Sequence, residues 1–199
     1  MQRKMCDRCK RPVSVCYCHT ITTVHNNWPV WIIQDKSEIH HPLGTARIAE
    51  LSLNNLEMIS TKNKNLLNLF LKKIEEKRPM LVYPGNDAHS MQDMPIDMTS
   101  PLLFLDGSWR KTKKMLYDYP QISALPKLSL SPDFISRYKI RKEPNTQSIS
   151  TIEAIVHTLS YLENNPQKYQ PMLSTMDWII EKQIEFIGEE TYKKNYQKR

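Results

Sequence analysis

Leu102-Leu103-Phe104-Leu105-Asp106-Gly107-Ser108-Trp109-Arg110 is the stretch on which the fold turns. Its apolar run reads as a strand buried on both faces, the habit of a parallel sheet. Asp-Gly then ends the run in a turn, since Gly accepts backbone angles that other residues resist. In open α/β sheets, chemistry collects where strands end at their carboxyl edge. The stretch therefore sets a carboxylate (Asp106), a hydroxyl (Ser108) and an indole (Trp109) where a site belongs. An ordinary strand-to-helix connection with Asp or Ser as N-cap explains the same residues when they are taken alone.

The flanking chain alternates between two periods. Residues 29–34, 56–60, 80–84 and 101–105 read as strands, with another expected within 127–140. Helical spacing appears from near Thr45 (Ala46, Ile48, Leu51) and over 64–77 (Leu66, Leu67, Phe70, Leu71, Ile74). Ser150 and Glu153 form a capping box that opens a helix running to about Leu162. A last helix is expected from Pro166, ending near Gly188. Residues 86–100 read as loop, and the tail as polar and basic. Strands alternating with helices predict a parallel α/β sheet.

Composition narrows the class. The chain has 199 residues, 40% of them hydrophobic, enough for one ordinary domain with a small appendage. The longest apolar run falls far short of the ~20 residues that span a bilayer, so no membrane partner is expected. The N-terminus has bases but no apolar stretch behind them, which argues against a secretory signal and for a cytoplasmic protein. The net charge is +7, which suits a polyanion such as nucleic acid. That charge is concentrated. Between 110 and 142, Arg110, Lys111, Lys113, Lys114, Lys127, Arg137, Lys139, Arg141 and Lys142 face only Asp118 and Asp133. Trp109, Tyr117, Tyr119, Phe134 and Tyr138 interleave with them. Bases with aromatics are what loop or single-stranded RNA needs, for phosphate neutralisation and for stacking. Each aromatic taken singly reads equally well as core.

All four cysteines fall in one segment, Cys6-x-x-Cys9 and Cys16-x-Cys18. Two close pairs reach one tetrahedral ion from opposite sides, and four thiolates close the site, so a structural zinc is expected. Redox cysteines or an iron–sulfur cluster are the other uses of such a set. The division that follows is a zinc knuckle over 1–27 and an α/β domain over 28–199. Arg47 stands near a helix start, where the dipole disfavours a cation, which suggests an anionic partner.

Taken together these motifs resemble the DTW-domain family. The resemblance is carried by the cysteine knuckle, His41-Pro-Leu-Gly-Thr-Ala-Arg47, Tyr83-Pro84-Gly85, Asp106-Gly-Ser-Trp109, and Arg141-Lys142 ahead of Ser150-Thr-Ile-Glu-Ala154. It covers nearly the whole chain in order. The family pattern is Asp-x-Thr-Trp, and Ser108 stands here at the third position, keeping the hydroxyl and losing the methyl. The resemblance implies a SPOUT-like parallel sheet with helices on both faces and a C-terminal trefoil knot. Physical rules alone predict an unknotted doubly wound sheet. It implies transfer of the 3-amino-3-carboxypropyl group of S-adenosylmethionine to ring nitrogen 3 of a tRNA uridine, in the variable loop for bacterial members, with release of methylthioadenosine. Asp106 is the expected proton acceptor, with Ser108 and Trp109 as its catalytic neighbours. Tyr83, Pro84, Gly85, Leu105, Gly107, Ser150, Thr151 and Ala154 are expected around the donor. Arg47, Arg110, Lys111, Lys113, Lys114, Arg137, Arg141 and Lys142 are expected on the RNA. No obligate protein partner is implied. A SPOUT-type RNA methyltransferase, an aminocarboxypropyltransferase acting on ribosomal RNA and a non-catalytic zinc-ribbon RNA-binding protein are the alternatives.

Overall fold

The computed structural model describes residues 4–42, 44–92, 100–130, 136 and 149–192. Six strands run in chain order: β1 (Val30–Gln34), β2 (Leu56–Ser60), β3 (Met80–Val82), β4 (His89–Ser90), β5 (Leu102–Asp106) and β6 (Lys127–Ser129). They form one sheet in the order β2-β1-β5-β3-β6-β4, and every pairing is parallel. The helices are α1 (Ala46–Ser52), α2 (Lys64–Lys77), α3 (Trp109–Asp118), α4 (Pro120–Ser123), α5 (Thr151–Leu162), α6 (Gln170–Ile187) and α7 (Glu189–Tyr192).

Side chains of a strand alternate between faces, so the central strands feed two cores. Val30, Ile32, Leu102 and Phe104 point into one, with α1, α5 and α6. Trp31, Ile33, Leu81 and Leu103 point into the other, with Phe70 of α2, Met115 of α3 and Ile122 of α4. Helices therefore cover both faces, as the apolar runs of β1 and β5 require. The N-terminal knuckle belongs to the first core: Cys9 and Tyr17 are buried there with residues of β1, α5 and α6.

Three expectations about element ends are corrected. Residues 86–100 are not all loop, because His89–Ser90 adds a short edge strand beside β6. β3 stops at Val82, two residues early, because Pro84 has no N–H for the ladder. α6 starts at Gln170, not at Pro166. A start at Pro166 would have put Pro171 inside the helix, against the carbonyl four residues back. Starting at Gln170 puts Pro171 in the first turn, where its missing N–H costs nothing. Gly188 does end α6, with φ at +82°.

The capping box forms as its spacing predicts. Glu153 accepts from the Ser150 N–H at 2.7 Å, and Ser150 Oγ accepts from the Glu153 N–H at 3.4 Å. Glu153 is fully buried and also accepts from Ser136 Oγ at 3.0 Å. Glu153→Ala removes the acceptor of several buried donors, so it should cost on the order of 2–3 kcal/mol, read as a lower denaturant midpoint with an unchanged slope.

Candidate active site

The site follows from topology. β1 and β5 are neighbours in register, with Gln34 beside Asp106. The chain leaving β1 forms α1 on the first core's face, and the chain leaving β5 forms α3 on the other. Two adjacent strand ends whose connections part to opposite faces leave a crevice between them, at the carboxyl edge of the sheet.

Asp106 sits at its floor and is only 5% exposed. Its Oδ2 accepts from Gln34 Nε2 at 2.9 Å, and its Oδ1 accepts from Thr151 Oγ1 at 2.6 Å. Its backbone carbonyl accepts from the Asp35 N–H at 2.9 Å. One carboxylate thus joins β1, β5 and the first residue of α5. Burial pushes its pKa above the ordinary carboxylate value, and the nearby charge of Glu38 adds to the rise. The hydrogen bonds from Thr151 and Gln34 oppose it. Two of its lone-pair positions are occupied, and the remainder can accept a further proton donor.

The loop after Asp106 is tight. A Cβ on Gly107 would lie 3.1 Å from Lys111 Cβ, tight enough that the start of α3 would have to give, and in ordinary contact with Asp35 Cβ at 3.6 Å. Ser108 is the N-cap residue of α3, but its hydroxyl does not cap. The ordinary capping explanation for Ser108 therefore does not apply. Trp109 begins α3 and meets the Tyr83 ring edge-on at 5.5 Å, while the Tyr83 hydroxyl lies 3.4 Å from Thr112 Oγ1. Lys111 reaches across the crevice to Glu38 at 2.6 Å.

The structure thus gathers Asp106, Gly107, Ser108, Trp109, Thr151 and Tyr83 around one strand end. Leu105 lies directly beneath, half-buried. Ser150 and Ala154 are on the adjoining turn of α5, but the Ser150 hydroxyl is spent on Glu153 (2.7 Å) and on Met176 Sδ (3.4 Å). Pro84 and Gly85 follow β3. A Cβ on Gly85 would come within 2.7 Å of Asp87 Oδ1, and Asp87 is held by Lys127 at 2.6 Å. The contact is with the tip of an exposed side chain, so a side chain at 85 would displace Asp87 from Lys127.

Among the bases, Arg110 and Lys113 project from α3 into solvent, and Lys114 pairs with Asp118 at 2.8 Å. Arg47 does not face the crevice as a free cation. Its guanidinium pairs with Glu50 and donates to the Arg8 carbonyl, tying α1 to the knuckle. An anion suited to its position on the helix is thus present within the chain, in Glu50. Arg137, Arg141 and Lys142 lie outside the described residues.

Gln34 and Glu38 were missed at the sequence level. Gln34 had a signal: like Asp106, it closes a buried apolar run, and the two runs pair in register. Glu38 had none, because its link to Lys111 spans 73 residues. An open cleft of about 550 Å³ lies one strand outward. It is lined by Ile39, Ser60, Lys62, Asn63, Lys64 and Asn65, not by the crevice residues. The crevice carries the converging polar groups and is the better candidate for chemistry.

A second constellation lies in the knuckle. The sulfurs of Cys6, Cys9, Cys16 and Cys18 all lie within 4.8 Å of one another. Cys6–Cys18 and Cys9–Cys16 are each 3.7 Å apart. Tetrahedral ligands at ~2.3 Å from an ion stand about 3.8 Å apart, whereas a disulfide requires ~2.05 Å. The set fits a four-coordinate metal such as zinc and does not fit disulfides. Backbone N–H groups of Cys9 and Arg8 draw the Cys6 thiol down to about 6, while burial raises Cys18.

No helix among the described residues is long and apolar enough to cross a membrane. The DTW domain model matches residues 3–184. Three curated relatives, all named tRNA-uridine aminocarboxypropyltransferase 2, align over most of the chain. The protein from Drosophila melanogaster is 27% identical over 92% of this chain and 76% of its own length. That from Macaca fascicularis is 24% identical over 92% of this chain and 65% of its own. That from Mus musculus is 23% identical over 98% of this chain and 68% of its own. No solved structure matches. With 182 of its 199 residues inside the family model, the chain belongs to the DTW domain family.

Proposed function

We propose that this protein is a tRNA-uridine aminocarboxypropyltransferase using S-adenosylmethionine as donor. The observation that carries the reading is Asp106: a buried carboxylate of raised pKa at the topological switch point, inside the Asp-Gly-Ser-Trp signature. In the reaction, N3 of the uracil attacks the aminocarboxypropyl carbon bonded to the sulfonium. A carbon–nitrogen bond forms, the carbon–sulfur bond breaks, and methylthioadenosine leaves with the bonding pair. The imide proton passes to Asp106. A sulfonium offers three electrophilic carbons, so holding the intended one in line is the main task. Gly107, Ser108, Tyr83, Trp109 and the start of α5 are the groups positioned for it. Pro84, Gly85, Leu105, Ser150 and Ala154 line the approach to the donor. Lys111 draws the β1–α1 loop across the crevice through Glu38. Arg110, Lys113 and Lys114, with Arg137, Arg141 and Lys142, meet tRNA phosphates.

The knuckle over 1–27 holds zinc as a structural ion through Cys6, Cys9, Cys16 and Cys18, and 28–199 form the catalytic domain. The family's SPOUT-like arrangement and C-terminal knot remain part of this reading, as does a cytoplasmic setting. Most of the path from β6 to α5 lies outside the described residues.

The test is mass spectrometry of tRNA nucleosides after incubation with protein and S-adenosylmethionine. An aminocarboxypropyl adduct on uridine together with free methylthioadenosine is the expected result. A methyl adduct with S-adenosylhomocysteine would reassign the enzyme as a methyltransferase, and an unmodified tRNA pool would overturn the transferase reading.

A further inference from the structure

Only the start of α3 takes part in the site, and its solvent face has no role there. Arg110, Lys113, Lys114 and Tyr117 recur at i, i+3, i+4 and i+7, so they share one stripe of the helix. The opposite side buries Thr112 and Met115. Tyr117 is 85% exposed, more than any other large hydrophobic side chain among the described residues. A lone tyrosine on a surface needs no explanation. This one stands three and four residues past two cations, on the helix that grows directly from Asp106-Gly-Ser-Trp.

We propose that Tyr117 is a stacking platform for an unpaired base of the RNA substrate, with Arg110 and Lys113 neutralising the phosphates between that base and the reacting uridine. The proposal rests on the RNA reading given above and adds a condition on the substrate. Eight residues of helix separate Trp109 from Tyr117, a rise of about 12 Å. At ~3.4 Å per stacked nucleotide, that spans roughly three or four nucleotides. A base inside an A-form helix has no free face to offer, so the base that stacks on Tyr117 must be unpaired. The enzyme therefore selects a uridine in a loop with an accessible base a few nucleotides away. Charge favours RNA as the occupant over an apolar protein surface, because Arg110 and Lys113 share the stripe with the ring and the third cation, Lys114, is balanced by Asp118.

The test compares wild type, Tyr117→Ala, Tyr117→Phe and Lys113→Ala in binding unmodified tRNA over a range of salt. Both positions are exposed, so folding is not at stake. Tyr117→Ala should weaken binding about tenfold with an unchanged salt slope, and Tyr117→Phe should bind within twofold of wild type, since base–aromatic stacking needs the ring and not the hydroxyl. Lys113→Ala should lower the slope by about 0.7–0.9, one phosphate contact. Annealing a complementary oligonucleotide over the flanking loop should erase the difference between wild type and Tyr117→Ala. Wild-type affinity in Tyr117→Ala, with wild type binding tRNA normally, overturns the stacking role alone. Failure of wild type to bind tRNA overturns the RNA reading and this proposal with it.

Discussion

Asp106→Asn should reduce aminocarboxypropyl transfer by 10²–10⁴-fold while leaving the fold at least as stable as wild type. The rate loss is the usual worth of a positioned base. The substitution is nearly isosteric. Asn still accepts from Thr151, and reversal of the Gln34 amide gives the Asn NH₂ an acceptor, so both hydrogen bonds survive. The stability change follows from the raised pKa of Asp106. The folded protein holds that proton at pH values where the unfolded chain, at an ordinary ~3.9, has released it. Wild-type stability therefore falls as pH rises from the ordinary carboxylate range through the raised value, and above that value the fold bears the cost of a buried charge. Asn has no proton to lose and escapes this fall. Thermal unfolding from pH 4 to 8 should show the gap between variant and wild type opening upward, by ~2–4 °C for each kcal/mol of difference. The same group sets the acid limb of the pH–rate profile, since only its ionised form accepts a proton. Thr151→Val deletes a hydrogen bond that stabilises the carboxylate, so it should move that limb to higher pH. A Thr151→Val profile superimposed on wild type, or full transfer by Asp106→Asn, would remove Asp106 from the role of base and leave it as a joint between β5 and α5.

Much of this arrangement was legible before any coordinates. β1 and β5 were readable because strands buried on both faces must be apolar throughout, and that constraint is written in consecutive residues. The capping box of Ser150 and Glu153 was readable because its chemistry spans three residues. Asp106 was found because Asp-Gly interrupts an apolar run at a strand's end. Contacts between distant parts of the chain left no such trace. The hydroxyl that orients Asp106 comes from Thr151, 45 residues on. Sequence alone placed Thr151 near the donor and gave no sign that its hydroxyl points at the carboxylate. Arg47 shows another limit. Its unfavourable place on the helix signalled an anion, and the structure pairs it with Glu50, three residues away, and with the Arg8 carbonyl. Local electrostatics says that a partner is needed but not whether it lies inside the chain or beyond it. The two-residue strand β4 was invisible for another reason: at His89–Ser90, pairing with β6 decides the backbone, and no side-chain pattern of two residues can.

Removing the metal from the knuckle should destabilise the far side of the domain as well as the knuckle itself, and the packing says why. Cys9 is 2% exposed and Tyr17 is 1% exposed, both inside the core that α5 and α6 share with β1. Thr175 of α6 donates to the Thr20 carbonyl at 2.9 Å, and the His19 ring meets Trp178 edge-on at 4.8 Å. Arg47 reaches from α1 to the Arg8 carbonyl. The knuckle is thus a lid on the first core. Four sulfurs held within 4.8 Å repel one another as they ionise, and a bound dication would turn that repulsion into bonds that fix the lid. Without the ion, the segment from Cys6 to Cys18 has little regular structure of its own: two short 3₁₀ turns, the Met5–Pro12 bridge and a few turn hydrogen bonds such as Cys6 N–H to the Arg11 carbonyl. Treatment with a strong chelator, or Cys9→Ser, should lower the melting temperature by roughly 10 °C, the equivalent of several kcal/mol for a domain of this size. Tryptophan fluorescence should report the change, because Trp178 faces the knuckle and Trp28 lies in the same core. None of these residues belongs to the sheet's second core, so hydrogen exchange in α2 should persist while that of α6 accelerates. Elemental analysis of the purified protein should find one zinc per chain. A metal-free protein with an unchanged melting temperature would show that the thiols pack as ordinary buried side chains. Uniform acceleration of exchange across both cores would show that the knuckle holds the whole domain and not one face of it.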